Sequence, residues 1–168
     1  MPRSPLLAAG LLGLAFAAAL SACDGNDDAS QGSVCGPTQA TVAAVIDGDT
    51  IELDSGERVR YLLVDTPEIT GGKDECYGAE AHAFNRDTVG GKEITLTYDE
   101  LECEDRYGRL LAFISVGDRD INALLVERGF ARVLYIAPSG EDRKAEYEAL
   151  ELQAQMGNAG QWGACETE

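Results

Sequence analysis

A chain of 168 residues is long enough for one compact domain and too short for two of ordinary size. With 45% apolar and 26% charged residues it can bury a core, which sets aside a disordered chain. Its formal net charge of −17 counts against the broad basic face by which most nucleic-acid binders hold phosphates. Phosphate chemistry on such a body must rest on a divalent cation and a few local arginines.

In chain order, Arg3 precedes an uncharged run from Leu6 to Leu20, rich in Leu and Ala. That is the pattern of a signal-peptide core, short for a bilayer span of roughly 20 residues. The run ends in Leu20-Ser21-Ala22-Cys23, which is similar to a bacterial lipobox, where the cysteine becomes the lipidated first residue. A plain signal peptide that contains Cys23, or an uncleaved anchor, are the other readings. Residues 1–22 are expected as the leader and 23–34 as a flexible tether, since Asp24–Val34 is small and polar. The folded domain is expected over residues 35–168. Lipidation at Cys23 implies a protein exported and anchored to the bacterial cell envelope, with the membrane as partner through the lipid.

Within the domain, Ala40–Ile46, Thr50–Leu53 and Arg58–Val64 read as strands, separated by turns at Asp47-Gly48 and Asp54-Ser55-Gly56. Thr66-Pro67 breaks regular structure and Gly71-Gly72 keeps the next stretch a loop. Gly78–Val89 reads as a helix with Ala83, Phe84 and Thr88 along one side, ended by Gly90-Gly91. Two strands follow, Ile94–Tyr98 and Leu110–Val116, with an acidic loop between them. Asp120 is a good N-cap for a helix to Arg128, with Gly129 as its stop. Ser139 opens the last helix, and Asp142 completes an approximate capping box. Ala145, Ala149, Leu152 and Met156, at spacings of four, three and four, predict a core-facing stripe. The order fits an α+β, mainly β fold: a five-stranded Greek-key barrel with about three packed helices.

Beyond Cys23 the chain has four cysteines, Cys35, Cys76, Cys103 and Cys165, an even count that suggests two disulfides in any of three pairings. Zinc does not fit, because no CxxC pair exists and His82 is the one histidine. His82 lies among alanines away from the polar motifs and reads as a surface or packing residue.

The informative stretch runs from Asp47 to Glu68. Asp47-Gly48-Asp49-Thr50 places two carboxylates at a tight turn; Arg60 and then Val64-Asp65-Thr66-Pro67-Glu68 follow, and Asp105-Arg106-Tyr107-Gly108-Arg109 precedes the fifth strand. Singly each has an ordinary reading as a turn, a strand end or a surface ion pair. Together, carboxylates and arginines on adjoining strand ends, without a serine–histidine pair, suit metal-assisted phosphoryl chemistry. Carboxylates with a carbonyl make a hard oxygen site, and arginine offers bidentate donors to phosphate.

The order of these motifs resembles the staphylococcal nuclease (thermonuclease) family, over about residues 40–163. The resemblance also takes in Tyr77-Gly78-Ala79-Glu80-Ala81, Asn122-Ala123-Leu124-Leu125 and Trp162. It implies an OB-fold barrel and a calcium-dependent nuclease cutting DNA and RNA to 3′-phosphate products. It implies calcium held by Asp49, Asp65 and the Thr66 carbonyl, with Glu68 as general base or water-orienting group. Arg60 and Arg109 would bind the scissile phosphate, and Arg106, Tyr107 and Tyr135 would contact the terminal phosphate and base. A monomer is expected.

Three departures stand out. Ala137 falls where the type member has a second tyrosine, the body is acidic, and four cysteines are present. If Cys76 and Cys103 lie in loops bordering the implied site, the expected bridges are Cys76–Cys103 and Cys35–Cys165. The alternative function is a non-catalytic OB-fold surface module that binds nucleic acid, calcium or a protein partner.

Overall fold

Strand pairing in the computed structural model, which describes residues 33–99 and 101–165, begins with β1 (Gln39–Val45). Its second half pairs antiparallel with β2 (Thr50–Leu53) and its first half with β4 (Glu93–Thr97). A register shift between Val42 and Ala44 marks a bulge. Bulges bend a strand and increase its twist, which lets β1 serve both sides of the barrel. Next, β3 (Arg58–Tyr61) pairs with β2, and β5 (Leu110–Val116) pairs with β4. The two-residue β6 (Arg119–Asp120) continues from β5.

The barrel closes through a parallel pairing of β3 with β5, Val59 against Leu110, Arg60 against Leu111 and Tyr61 against Ala112. Side chains alternate across a strand. Val59 and Leu110 point inward, at 0% and 5% exposure. Arg60 therefore lies on the outer face, and Arg109, two residues before Leu111, shares that face. The expected α+β, mainly β barrel of OB type is the observed architecture, with β6 as a short addition to the five strands.

Helix α1 (Gly78–Val89) follows β3, and α2 (Ile121–Glu127) follows β6. The buried line on α1 is Ala81, Asn85 and Val89, with Phe84 half-buried against the core. Asn85 accepts from the Tyr61 hydroxyl at 3.0 Å and donates to the Asp47 carbonyl at 3.1 Å, fixing the β1–β2 turn. His82 sits with Nε2 3.3 Å from the Val45 carbonyl, a packing position. Asp120 caps α2 as expected, accepting from the Ala123 N–H at 2.9 Å. Gly129, at φ +72, ends that helix where a Cβ would fall 2.1 Å from the Ala159 carbonyl oxygen.

Two expectations are corrected on α3 (Glu141–Met156). Ser139 does not cap it; Gly140, with φ +87, occupies that position. The stripe of Ala145, Ala149, Leu152 and Met156 faces outward, with Leu152 and Met156 55% and 69% exposed. The face turned to the core is Arg143, Tyr147, Leu150 and Ala154, at the same spacings but two residues out of phase. Polar anchoring chooses between them. Arg143 pairs with Asp120 at 2.8 Å while lying over the rings of Phe113 and Tyr147, and the Tyr147 hydroxyl also reaches Asp120 at 3.3 Å. A short α4 (Gln161–Ala164) completes the chain's described helices.

The disulfides are Cys35–Cys103 and Cys76–Cys165, not the expected Cys76–Cys103 and Cys35–Cys165. The N-terminal segment runs along β4, with the Leu96 N–H on the Thr38 carbonyl and the Tyr98 hydroxyl on the Pro37 carbonyl. That brings Cys35 to the loop after β4, where Cys103 sits. At the other site, Tyr77 stacks on Phe130 at 5.5 Å and the Gln161 N–H donates to the Gly129 carbonyl. These contacts carry Cys165 to Cys76. The expected leader, Cys23 and residues 23–32 of the tether lie outside the described residues.

Candidate active site

The strand after Arg60 is expected to reach Val64, but it stops at Tyr61 because Leu63 takes φ +61. That left-handed turn folds the chain back toward Arg60, four residues behind Val64. Arg60 donates to the Val64 carbonyl at 2.6 Å and to Asp65 Oδ1 at 2.9 Å. Asp65 is pinned by paired backbone bonds to Arg132, at 2.9 and 2.8 Å.

Asp49 is the hub. Its Oδ1 meets Arg60 at 2.8 Å and accepts from the Thr50 hydroxyl at 3.2 Å. Its Oδ2 accepts from the Thr66 N–H at 2.7 Å and the Thr66 hydroxyl at 2.9 Å. Gly48 is required here, since a Cβ would lie 2.6 Å from Thr66 Oγ1. The Asp49–Arg60 pair is withdrawn from water, with side chains 7% and 14% exposed.

Asp105 holds Arg109 in the same manner, accepting from Nε at 2.7 Å and pairing with a terminal nitrogen at 2.6 Å. The Tyr107 and Arg109 N–H groups also donate to it. Burial acts to raise the Asp105 carboxyl, but these hydrogen bonds and the Arg109 charge outweigh it and hold it below its ordinary range. Arg106 donates to the Tyr107 hydroxyl at 2.7 Å and lies over that ring.

Asp47, Asp49, Asp65, Thr66, Glu68, Arg60, Tyr107 and Arg109 line one cleft of about 270 Å³. Burial and the neighbouring Asp49 charge push Asp47 up to about 6. Burial also raises Asp65, with Arg60 opposing. Glu68 is lowered instead, chiefly by the hydrogen bond from the Thr70 hydroxyl, so it is ionised at neutral pH. The arrangement can clamp an anion between two arginines while a carboxylate accepts a proton beside it.

Eight of the nine residues expected to carry chemistry fall at this cleft or its extension. Arg106 lies where the cleft widens. Tyr135 is the one set apart: the Lys144 ammonium sits 4.6 Å over its ring, and the adjoining cavity is lined by Leu134, Ile136 and Ala137 instead. Alternation along this extended stretch turns 134 and 136 one way and 135 the other. Two residues not assigned roles from the sequence take part. Asp47 was visible as half of Asp-Gly-Asp, and Asp105 as the acid four residues before Arg109.

Fold and cleft together define an OB-type barrel protein with carboxylates and arginines gathered in one cleft. The family model described as staphylococcal nuclease homologue matches residues 58–164. The chain is 37% identical over 121 residues to a Thermonuclease of Staphylococcus intermedius, covering 67% of this chain and 71% of that one. It is 35% identical over 119 residues to a Thermonuclease of Staphylococcus hyicus, covering 68% and 69%. It is also 39% identical over 102 residues to Endonuclease YncB of Bacillus subtilis (strain 168), where it spans 57% of this chain but only 48% of that relative. The chain belongs to the staphylococcal nuclease family.

Proposed function

We propose that this protein is a calcium-dependent nuclease, acting as a monomer, that hydrolyses DNA and RNA and leaves 3′-phosphate ends. The observation that carries it is the gathering of Arg60, Arg109, Asp49, Asp65 and Glu68 in one cleft. Relatives named thermonuclease and endonuclease add support.

Asp65 and the Thr66 carbonyl fit calcium as hard oxygen ligands, and Asp49 joins them where it gives up one of the four donors its carboxylate now accepts. Among the described residues, Asp65 Oδ2 and the Thr66 carbonyl accept no hydrogen bond, which leaves both for a cation. Burial, with the Asp49 charge adding to it, acts against ionisation of Asp47 and Asp65, and Arg60 opposes. When bound, calcium supplies charge neutralisation for the attacked phosphate.

The chain's own residues do the rest. Arg60 and Arg109 present planar donors to the phosphate oxygens, where charge builds as water attacks phosphorus. Glu68 orients that water and takes its proton. The new bond is oxygen to phosphorus, the broken one is phosphorus to the 5′-oxygen, and the 5′-oxygen leaves to be protonated. Export and lipid anchoring at Cys23 complete the reading. Export is supported by two disulfides, which persist in oxidising compartments, and anchoring rests on the lipobox-like Leu20-Ser21-Ala22-Cys23.

The test is cleavage of linear DNA and RNA by the full, oxidised chain, in calcium and in excess chelator. Cleavage is expected in calcium alone. It should fall by about 10²–10⁴-fold in Glu68→Gln and by about 10²–10³-fold in Arg109→Ala. No cleavage at low salt would sink the enzyme reading and leave a binding module on the same barrel.

A further inference from the structure

The side chains that grip the Asp49 carboxylate use the oxygens a cation would need: Arg60 and Thr50 meet Oδ1, and Thr66 meets Oδ2 twice. The turn that carries Asp47 and Asp49 is also held from behind, at its backbone, by groups that take no carboxylate oxygen. Asn85 Nδ2 donates to the Asp47 carbonyl at 3.1 Å, and Asn85 Oδ1 accepts from the Tyr61 hydroxyl at 3.0 Å. Tyr61 completes the hold, because its own N–H donates to the Asp49 carbonyl at 2.9 Å. His82, three residues before Asn85 on α1, lies with Nε2 3.3 Å from the Val45 carbonyl just ahead of the turn. Asn85 and Tyr61 are 0% and 2% exposed, so a displaced amide finds no water to replace its partners.

Resting on the nuclease reading, we propose that Asn85 is a positioning residue of the calcium site, which sets calcium affinity through the Asp47 carbonyl without touching calcium. Asp47, Asp49 and Asp65 line one cleft. Like charges so gathered favour a turn that spreads away from Asp65 before a cation arrives. Ligands held in place beforehand bind more tightly, since less order is lost on binding.

A neutral amide supplies that hold with no added charge and no competition for the carboxylate oxygens. One side chain serves as donor to the turn and acceptor from the barrel. Burial keeps the Tyr61 phenol protonated, so the direction of the chain from Tyr61 through Asn85 to Asp47 is fixed. Asp49 can then give up one of its protein donors to the cation while the turn stays where it is.

The test is calorimetric titration of calcium into the full, oxidised chain without nucleic acid, for the unmodified protein, Asn85→Leu, Tyr61→Phe and Tyr147→Phe. Asn85→Leu is close in volume and is expected to weaken calcium binding by about 10–100-fold, the range for losing a group that orients a metal ligand. Tyr61→Phe keeps the amide but frees it to turn, and a weakening of about threefold is expected. Tyr147→Phe removes a buried hydroxyl bonded to Asp120, not to the turn, and is expected to leave calcium affinity unchanged. In cleavage assays the calcium needed for half-maximal cutting should rise in Asn85→Leu, with turnover at saturating calcium preserved. A merely structural role would lower turnover with the folded fraction and spare affinity. Unchanged affinity in Asn85→Leu (or in Tyr61→Phe, should Asn85→Leu not fold), or an equal loss in Tyr147→Phe, would overturn the proposal and leave the nuclease reading in place. An unmodified chain that binds no calcium would overturn the proposal and remove calcium from that reading too.

Discussion

Asp49 and Glu68 illustrate how two carboxylates in one cleft come to differ. Asp49 spends both oxygens on the protein, holding Arg60, Thr50 and Thr66. Asp49→Ala leaves a largely buried guanidinium short of its partner, and a loss of about 3–5 kcal/mol in denaturant unfolding is expected. The Glu68 carboxylate is held by its loop neighbours, chiefly Thr70, so Glu68→Gln is expected to change stability by less than about 0.5 kcal/mol while turnover falls by about 10²–10⁴-fold. If instead Glu68→Gln unfolds the protein, its proposed role loses its support. Asp65 is the residue where calcium should be felt. At about 100 times its dissociation constant, calcium is expected to add about 2.7 kcal/mol to unmodified protein and far less to Asp65→Ala, read as thermal melting with and without chelator. These residues were legible in the sequence because the order of their motifs resembles one family's, and the structure brings them to one cleft. Tyr135 was less so, since a one-residue change of phase turns a side chain to the other face.

At the scale of elements, α3 carries two stripes of identical spacing, and hydrophobicity favoured the wrong one. What seats the helix is Arg143 on Asp120 and Tyr147 against Phe113, contacts made with residues far away in sequence. Tyr147→Ala is therefore expected to cost about 3–5 kcal/mol, and Leu152→Glu with Met156→Lys less than about 0.5 kcal/mol each; equal costs in urea unfolding would contradict this seating. The disulfides were illegible for a related reason. Four cysteines permit three pairings, and only the path of the N-terminal segment along β4 selects Cys35–Cys103. That bridge enters the loop whose Asp105 holds Arg109. Cys35→Ala/Cys103→Ala is expected to lose about 2–4 kcal/mol and also to raise KM, as the Arg109 clamp loosens.

For the whole molecule, a net charge of −17 must be reconciled with a polyanionic substrate. Three arginines meet the cavity and cleft, so few counterions are released on binding. At roughly 0.7 per phosphate contact on single strands, the logarithm of affinity is expected to fall with that of salt at a slope of about −2. A slope far steeper would reveal a basic surface outside the cleft. The barrel itself was legible from short alternating strands and their turns, because period-two patterning reports burial directly. Its closure was not, since nothing in the order of elements announces a parallel contact between β3 and β5.

That closure has a consequence in time. Arg60 and Arg109 lie about 50 residues apart in the chain and become neighbours only when β3 meets β5. No partly folded form lacking this contact can present both cations to one phosphate. Cutting ability would thus wait on that closure, and a nascent chain still short of residue 112 would be harmless to the messenger that encodes it.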